Sequence, residues 1–299
     1  MTILITGSNG LLGQKLIHLL EQDDDIHLIA TAHRQPASPF KKTEFIELDI
    51  TNKEQIEEVI RSTKPDVLIN TAAMTNVDQC ETQKEKCWLT NVTAVQYLSE
   101  SCAKSNVHLI HLSTDFIFDG TYGPLDEDAK PSPVNYYGES KLASEKIVQQ
   151  STSPWCIIRT VLVYGISADM SRSNIILWVK KSLEDGKNIQ VVDDQWRTPT
   201  LAEDLALGCS LAAKKKAEGI YNISGEDFIT PYTMAIETAK FFNLDHSLIK
   251  LTDSTQFKQP AIRPLKTGFI IEKAKTQLGY APHSFREGLA VIKSQLPKN

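Results

Sequence analysis

The chain has 299 residues, 41% of them hydrophobic, and a formal net charge of -5, enough for one large domain and a smaller one. Mild acidity, with Lys214-Lys215-Lys216 as the one basic run, argues against nucleic acid or an anionic membrane as partner. No run approaches the roughly 20 apolar residues of a membrane span. Five cysteines without CxxC spacing predict a reduced, cytoplasmic protein with buried free thiols, and seven histidines in no HxH or HExxH pattern indicate no metal.

The chain opens on a strand pattern, Ile3-Leu4-Ile5, rather than a signal peptide, and runs into Thr6-Gly7-Ser8-Asn9-Gly10-Leu11-Leu12-Gly13. Three glycines between a buried strand and an amphipathic helix are how an open α/β sheet cradles a pyrophosphate. Gly7 allows the tight turn, Gly10 lets backbone approach the phosphates, and Gly13 lets helix pack on strand. Free N–H groups around Asn9, Leu11 and Leu12, at the positive end of a helix over 11–22, would face the anion. The bland alternative is a plain loop, which the flanking strand and helix disfavour.

Short apolar segments at 28–31, 45–47, 67–70, 109–113 and 156–160 read as further strands. Helical patterns at 53–63, 84–105 and 137–150 fall between them. This alternation predicts a doubly wound (Rossmann) parallel sheet covered on both faces. After Tyr164 the pattern changes to a helix at 175–184, a strand at 189–192 and a helix at 201–214, then a less regular stretch with Pro231, Pro260, Pro264 and Pro282. We read 1–165, with part of 189–222 returning to it, as the dinucleotide domain. Residues 166–188 and 223–299 form a smaller α/β substrate lobe. Trp178, at helical spacing, reads as core.

Ligands of such sheets sit at the carboxyl ends of the strands. The second strand ends at His33-Arg34, and an arginine there suits the 2′-phosphate of NADP, where a carboxylate would suit NAD. NADPH is therefore the preferred cofactor, with NAD as the alternative. Asp49-Ile50 closes the third strand, where the carboxylate would accept from the adenine amino group or cap a helix in competition with Thr51 or Asn52. Ala72 and Ala73 follow the fourth strand and leave room for the cofactor beside the backbone.

The fifth strand closes on Ser113-Thr114-Asp115-Phe116, and Tyr137 and Lys141 share one face of the helix that follows. An exposed i,i+4 pair is the alternative reading of YxxxK. A phenol has an ordinary pKa of about 10, which a neighbouring ammonium lowers. Tyr137 would protonate a carbonyl oxygen as hydride arrives, Thr114 would hold that oxygen, and Lys141 would also bind the nicotinamide ribose. Arg197 and Arg263, whose forked guanidinium groups suit phosphate, are candidates for the substrate diphosphate, with an interlobe salt bridge as the alternative.

Thr6-Gly7-x-x-Gly10-x-x-Gly13, Asn70-x-Ala72-Ala73 and Tyr137-x-x-x-Lys141 together resemble the extended short-chain dehydrogenase/reductase superfamily. Ser113-Thr114-Asp115-Phe116-Ile117-Phe118-Asp119-Gly120, Arg159-Thr160, Asp194-Gln195, Pro199-Thr200 and Arg263-Pro264 resemble its dTDP-4-dehydrorhamnose reductase branch. The resemblance implies NAD(P)H-dependent reduction of the 4-keto group of a nucleotide sugar. It makes Thr114, Tyr137 and Lys141 the catalytic set and places Thr75, Asp115 and Phe116 near the substrate. Two positions depart from that branch: Leu162 stands where a tryptophan flanks the sugar, and Phe116 where a tyrosine is usual. Both leave the sugar unnamed. A dehydratase would need a second carboxylate at Phe116, and an epimerase an acidic residue at Arg34. A non-catalytic nucleotide-binding subunit resembling the methionine adenosyltransferase beta subunit is the alternative, and a homodimer is compatible with either.

Overall fold

The structure, a computed structural model, describes residues 1–37, 39–167 and 174–297. The first half alternates β1 (Thr2–Thr6), α1 (Leu11–Leu20), β2 (His27–Ala32), β3 (Glu44–Glu47), α2 (Lys53–Thr63) and β4 (Val67–Asn70). Two short helices follow, α3 (Val77–Thr82) and α4 (Lys84–Trp88), then α5 (Ala94–Ser105), β5 (His108–Thr114), α6 (Tyr136–Gln149) and β6 (Trp155–Thr160). The second half holds β7 (Val163–Tyr164), α7 (Ile175–Glu184), β8 (Ile189–Val192), β9 (Thr200–Leu201) and α8 (Ala202–Lys214). It closes with β10 (Gly219–Asn222), α9 (Pro231–Phe242), β11 (Ile249–Thr252) and α10 (Phe285–Gln295).

Seven strands form one parallel sheet in the order β3-β2-β1-β4-β5-β6-β10. Ile3, Leu4 and Ile5 of β1 are all buried because both faces of a parallel sheet are covered. Ile3 and Ile5 pack with Leu16, Ile17 and Leu20 of α1 and with Leu205 and Cys209 of α8. Leu4 points the other way, to Ile56 and Ile60 of α2, Val95 and Leu98 of α5 and Val148 of α6. The chain moves outward from β1 through β2 and β3, then crosses back to lay β4 on the other side of β1. That reversal opens a crevice at the carboxyl ends of β1 and β4.

The helix expected over 84–105 is broken, and α3 before it was not anticipated. Asn76 starts α3 by accepting from the Gln79 N–H, and residues Leu89–Thr93 form a π-turn between α4 and α5. The wider turn buries Asn91, whose side chain accepts from the Met74 N–H (2.8 Å) and donates to the Met74 carbonyl (3.0 Å). The loop after β4 is thereby pinned. Strand β10 also escaped the periodicity, being only four residues at a sheet edge.

The smaller lobe pairs β8 with β11 and packs α7 on α9. Val179, Leu183, Ile189, Val191, Ala235 and Ile249 fill its centre. Trp178 is not core: it is 40% exposed and lines a cleft with residues of the smaller lobe such as Val191, Pro231 and Phe257. All five cysteines are buried and free, and no described helix is long and apolar enough to cross a membrane.

Helix α6 is fastened to β6 by a buried bidentate pair. Arg159 Nε and Nη2 donate to the Glu145 carboxylate at 3.0 and 2.8 Å, and Nη1 donates to the Glu127 carbonyl at 3.1 Å. Removing one partner of such a pair strands the other charge. Arg159→Met is expected to cost about 3–5 kcal/mol in urea unfolding. Adding Glu145→Gln should recover part of that loss; an unchanged midpoint for the single variant would contradict the pairing.

Candidate active site

The glycine turn is packed too tightly for side chains at two of its three glycines. A Cβ on Gly7, whose φ is +71°, would lie 2.8 Å from the Ala72 nitrogen, and one on Gly13 would lie 2.5 Å from the Gly7 carbonyl oxygen. Gly10 is exposed, and as the first residue of the α1 entry it offers no side-chain cap. The N–H groups at this helix start therefore face the crevice and suit an anion. Asn9 braces the turn by donating from Nδ2 to the Arg34 carbonyl at 2.8 Å.

Arg34 is exposed at the end of β2, and its guanidinium makes no ion pair among the described residues. Asp49 lies across from it in a tight turn, accepting from the Thr51 N–H (2.9 Å) and Thr51 hydroxyl (2.8 Å). Its other oxygen is 3.9 Å from His33 Nδ1. Asn52, rather than Asp49, caps α2. Ile50 is buried beneath this edge, while Ala72 and Ala73 are half-buried at the crevice.

Thr114 ends β5 and donates from Oγ1 to Asp115 Oδ1 at 3.0 Å. Asn135 caps α6 by accepting from the Gly138 N–H (2.8 Å), which sets Tyr137 in the first turn and Lys141 one turn on. The Tyr137 phenol lies close to the Thr114 side chain, and the Phe116 ring packs edge-on to Tyr137 at 5.8 Å between centroids. Burial pushes the Tyr137 phenol above its usual range, against the lowering influence of the neighbouring Thr114 hydroxyl. The expected lowering by an ammonium is not what dominates in the free protein. The same burial pulls the Lys141 amine down to about 8, opposed by Glu145 and Cys87. A phenol that keeps its proton suits an acid, which is what reduction of a ketone requires.

The two arginines are both engaged. Arg197 is buried, with Nη1 donating to the Trp196 and Leu265 carbonyls (2.8 and 3.0 Å), Nη2 to that of Pro264 (2.6 Å), and Nε 3.6 Å from Asp115. Asp115 also accepts from Thr267 at 2.5 Å, so its carboxylate is enclosed by three segments of the chain. Burial raises its pKa against the opposing Arg197 charge. Arg263 forms a bidentate pair with Asp78 at 2.7 Å for each bond. It lines a cleft of about 260 Å³ with Trp178, Phe257, Gln190, Gln195 and Gln259. Thr75 is exposed at the crevice mouth. Leu162 is 40% exposed and sits in the left-handed region at φ 37°.

Sequence reasoning missed Asn91, Asp78, Thr267 and His111. Each is placed by contacts far apart in the chain, so spacing carried no signal for them. Only the polar His111 inside an otherwise apolar strand pattern stood out in principle.

A family model described as RmlD substrate binding domain matches residues 1–296. A dTDP-4-dehydrorhamnose reductase of Aggregatibacter actinomycetemcomitans is 30% identical, with 98% of each chain covered. The methionine adenosyltransferase 2 subunit beta of Xenopus laevis is 31% identical, covering 84% of this chain and 75% of that one. A solved dTDP-4-dehydrorhamnose reductase ortholog from Clostridium acetobutylicum superposes with a TM-score of 0.86 at 26% identity, covering 98% of this chain and 99% of that one.

The glycine packing makes a direct prediction. Gly13→Ala should abolish NADPH binding, read by quenching of nicotinamide fluorescence, and lower the melting temperature, because its Cβ meets backbone at 2.5 Å. Binding equal to that of the parent would contradict the turn geometry.

Proposed function

We propose, from the premise that the chain belongs to the RmlD substrate binding domain family within the extended short-chain dehydrogenase/reductases, that it reduces the 4-keto group of a nucleotide-linked deoxysugar with NADPH. The observation that carries this reading is the convergence of Thr114, Tyr137 and Lys141 at the carboxyl edge of the sheet, with Tyr137 held protonated by burial.

The residues present fit a nicotinamide dinucleotide. The N–H groups after Gly10 would take the pyrophosphate, Arg34 the 2′-phosphate and Asp49 the adenine edge, and Lys141 has a buried amine for ribose hydroxyls. When bound, the reduced nicotinamide supplies the hydride. Tyr137 gives its phenolic proton to the ketone oxygen, so alkoxide charge never accumulates in the low-dielectric site. Thr114 orients that phenol. Lys141, mostly an ammonium at neutral pH with its value near 8, stabilises the phenolate left behind.

The cleft beside Trp178 and Phe257 suits the nucleotide part of the substrate, since aromatic rings and glutamine amides are what a base requires. Arg263 serves a diphosphate there only by exchanging Asp78 as its partner. Arg197 has no such freedom, and we assign it to holding Asp115.

The likeness to methionine adenosyltransferase beta subunits favours a second reading, a cofactor-binding partner protein without turnover. The intact acid and lysine favour the enzyme.

Tyr137→Phe should leave NADPH affinity unchanged while reduction of dTDP-4-dehydrorhamnose falls by about 10²–10⁴-fold. Full turnover in that variant would remove Tyr137 as the acid. Arg34→Ala should weaken NADPH binding by about 10–100-fold, the worth of a charge-assisted bond, and leave NADH binding unchanged. Equal losses for both cofactors would contradict the 2′-phosphate role.

A further inference from the structure

His111 lies in the middle of β5, fully enclosed, directly behind Lys141. Its surroundings decide which nitrogen carries the proton. The Asn70 Oδ1 atom accepts from the Ala72 N–H at 3.2 Å and from the Thr6 hydroxyl at 2.6 Å. A backbone N–H only donates, so the amide orientation follows, with Nδ2 turned toward His111 Nδ1 at 3.1 Å. Nδ1 is then the acceptor of that bond, and in the neutral ring the proton sits on Nε2.

The Nε2 atom has two neighbours. Ser144 Oγ is 3.0 Å away and spends its own proton on the Lys141 carbonyl (2.7 Å), so it accepts from His111. Lys141 Nζ is 3.1 Å away and finds an N–H where an acceptor would be expected. No other hydrogen bond to Nζ occurs among the described residues. A buried amine beside a donor has hydrogens without a protein partner, an arrangement costly unless a ligand completes it.

We propose that His111 is a positioning residue for Lys141: locked by Asn70 with its proton on Nε2, it withholds an acceptor from the amine and reserves the amine's hydrogens for a bound ligand's hydroxyl groups. Through Asn70 and Thr6 the same chain of bonds reaches the strand that carries the glycine turn. The charged and titratable groups around the amine are Tyr137 and Glu145 on its own helix, Cys87 on α4 and His111 on β5. Glu145 is committed to Arg159, so it does not substitute as a close acceptor. Burial weakens the ammonium, consistent with an amine that is partly neutral until a ligand arrives, and burial together with Lys141 holds His111 well below its ordinary value.

The inference rests on the reductase reading only for the identity of the ligand, NADPH. The first test needs no cofactor: nitrogen-15 NMR of the imidazoles, with His111 identified by its loss in His111→Gln. From about pH 6 to about pH 9 the ring should stay neutral, with Nδ1 unprotonated and Nε2 protonated. A proton on Nδ1, or an imidazolium in that range, overturns the proposal. Asn70→Asp replaces the donor with an acceptor and should move the proton to Nδ1, freeing Nε2 to capture Lys141. NADPH affinity should then fall by about tenfold, the worth of one hydrogen bond. Unchanged affinity with a shifted proton overturns the link to Lys141.

Calorimetric titration with NADPH, in two buffers of different ionisation heat near pH 8, provides a second readout. Binding should take up protons in the parent and not in Lys141→Met; uptake equal in both overturns the assignment. Failure of NADPH to bind the parent at all would instead defeat the reductase reading, and the imidazole spectrum would still decide the role of His111.

Discussion

Desolvation at the carboxyl edge of the sheet is the constraint around which this site is arranged. Thr114, Asp115, Tyr137, Lys141 and His111 are all buried there, so each polar atom needs a partner or pays for its absence. The consequences differ by charge. Burial keeps the proton on Tyr137, loosens the one on Lys141 and keeps His111 neutral. One physical effect thus acts on all three, favouring a protonated phenol, a weakened ammonium and a neutral imidazole.

The enclosure is built from segments distant in sequence. Asp115 lies between Thr114, Arg197 and Thr267, and Arg197 is itself held by carbonyls of residues 196, 264 and 265. Lobe and sheet are therefore joined at Asp115, beside Thr114. Asn135 adds a second tie, capping α6 while donating to the Ile262 carbonyl at 2.7 Å. The segment that carries Arg263 thus reaches Thr114 through Arg197 and one carboxylate. Leu162, just after β6, is partly exposed and has its backbone in the left-handed region.

What the sequence makes legible is what local rules control. Apolar runs announce the buried strands, and the glycines announce the turn because two of them admit no Cβ. The four-residue spacing of Tyr137 and Lys141 puts both on the inner face of α6, as helical periodicity requires. Features that depend on the fold leave no such trace. A π-turn at 89–93 has no composition of its own, so the single helix expected there is broken. Trp178 obeys the spacing of a core residue, yet α7 turns it to the cleft because Val179 and Leu183 take the buried side. Arg197 is a phosphate binder by chemistry alone, and only the backbone of residues 264 and 265 shows its donors already used.

Hydride delivery to a sugar ketone would leave its mark in isotope transfer. NADPH deuterated on the transferring face of its nicotinamide would be incubated with the protein and dTDP-4-dehydrorhamnose, and the sugar product examined by mass spectrometry and NMR. One deuterium is expected, on C4 of the reduced sugar. Cofactor that binds yet leaves no deuterium in any 4-keto nucleotide sugar would contradict it and identify the chain as a binding partner rather than a reductase.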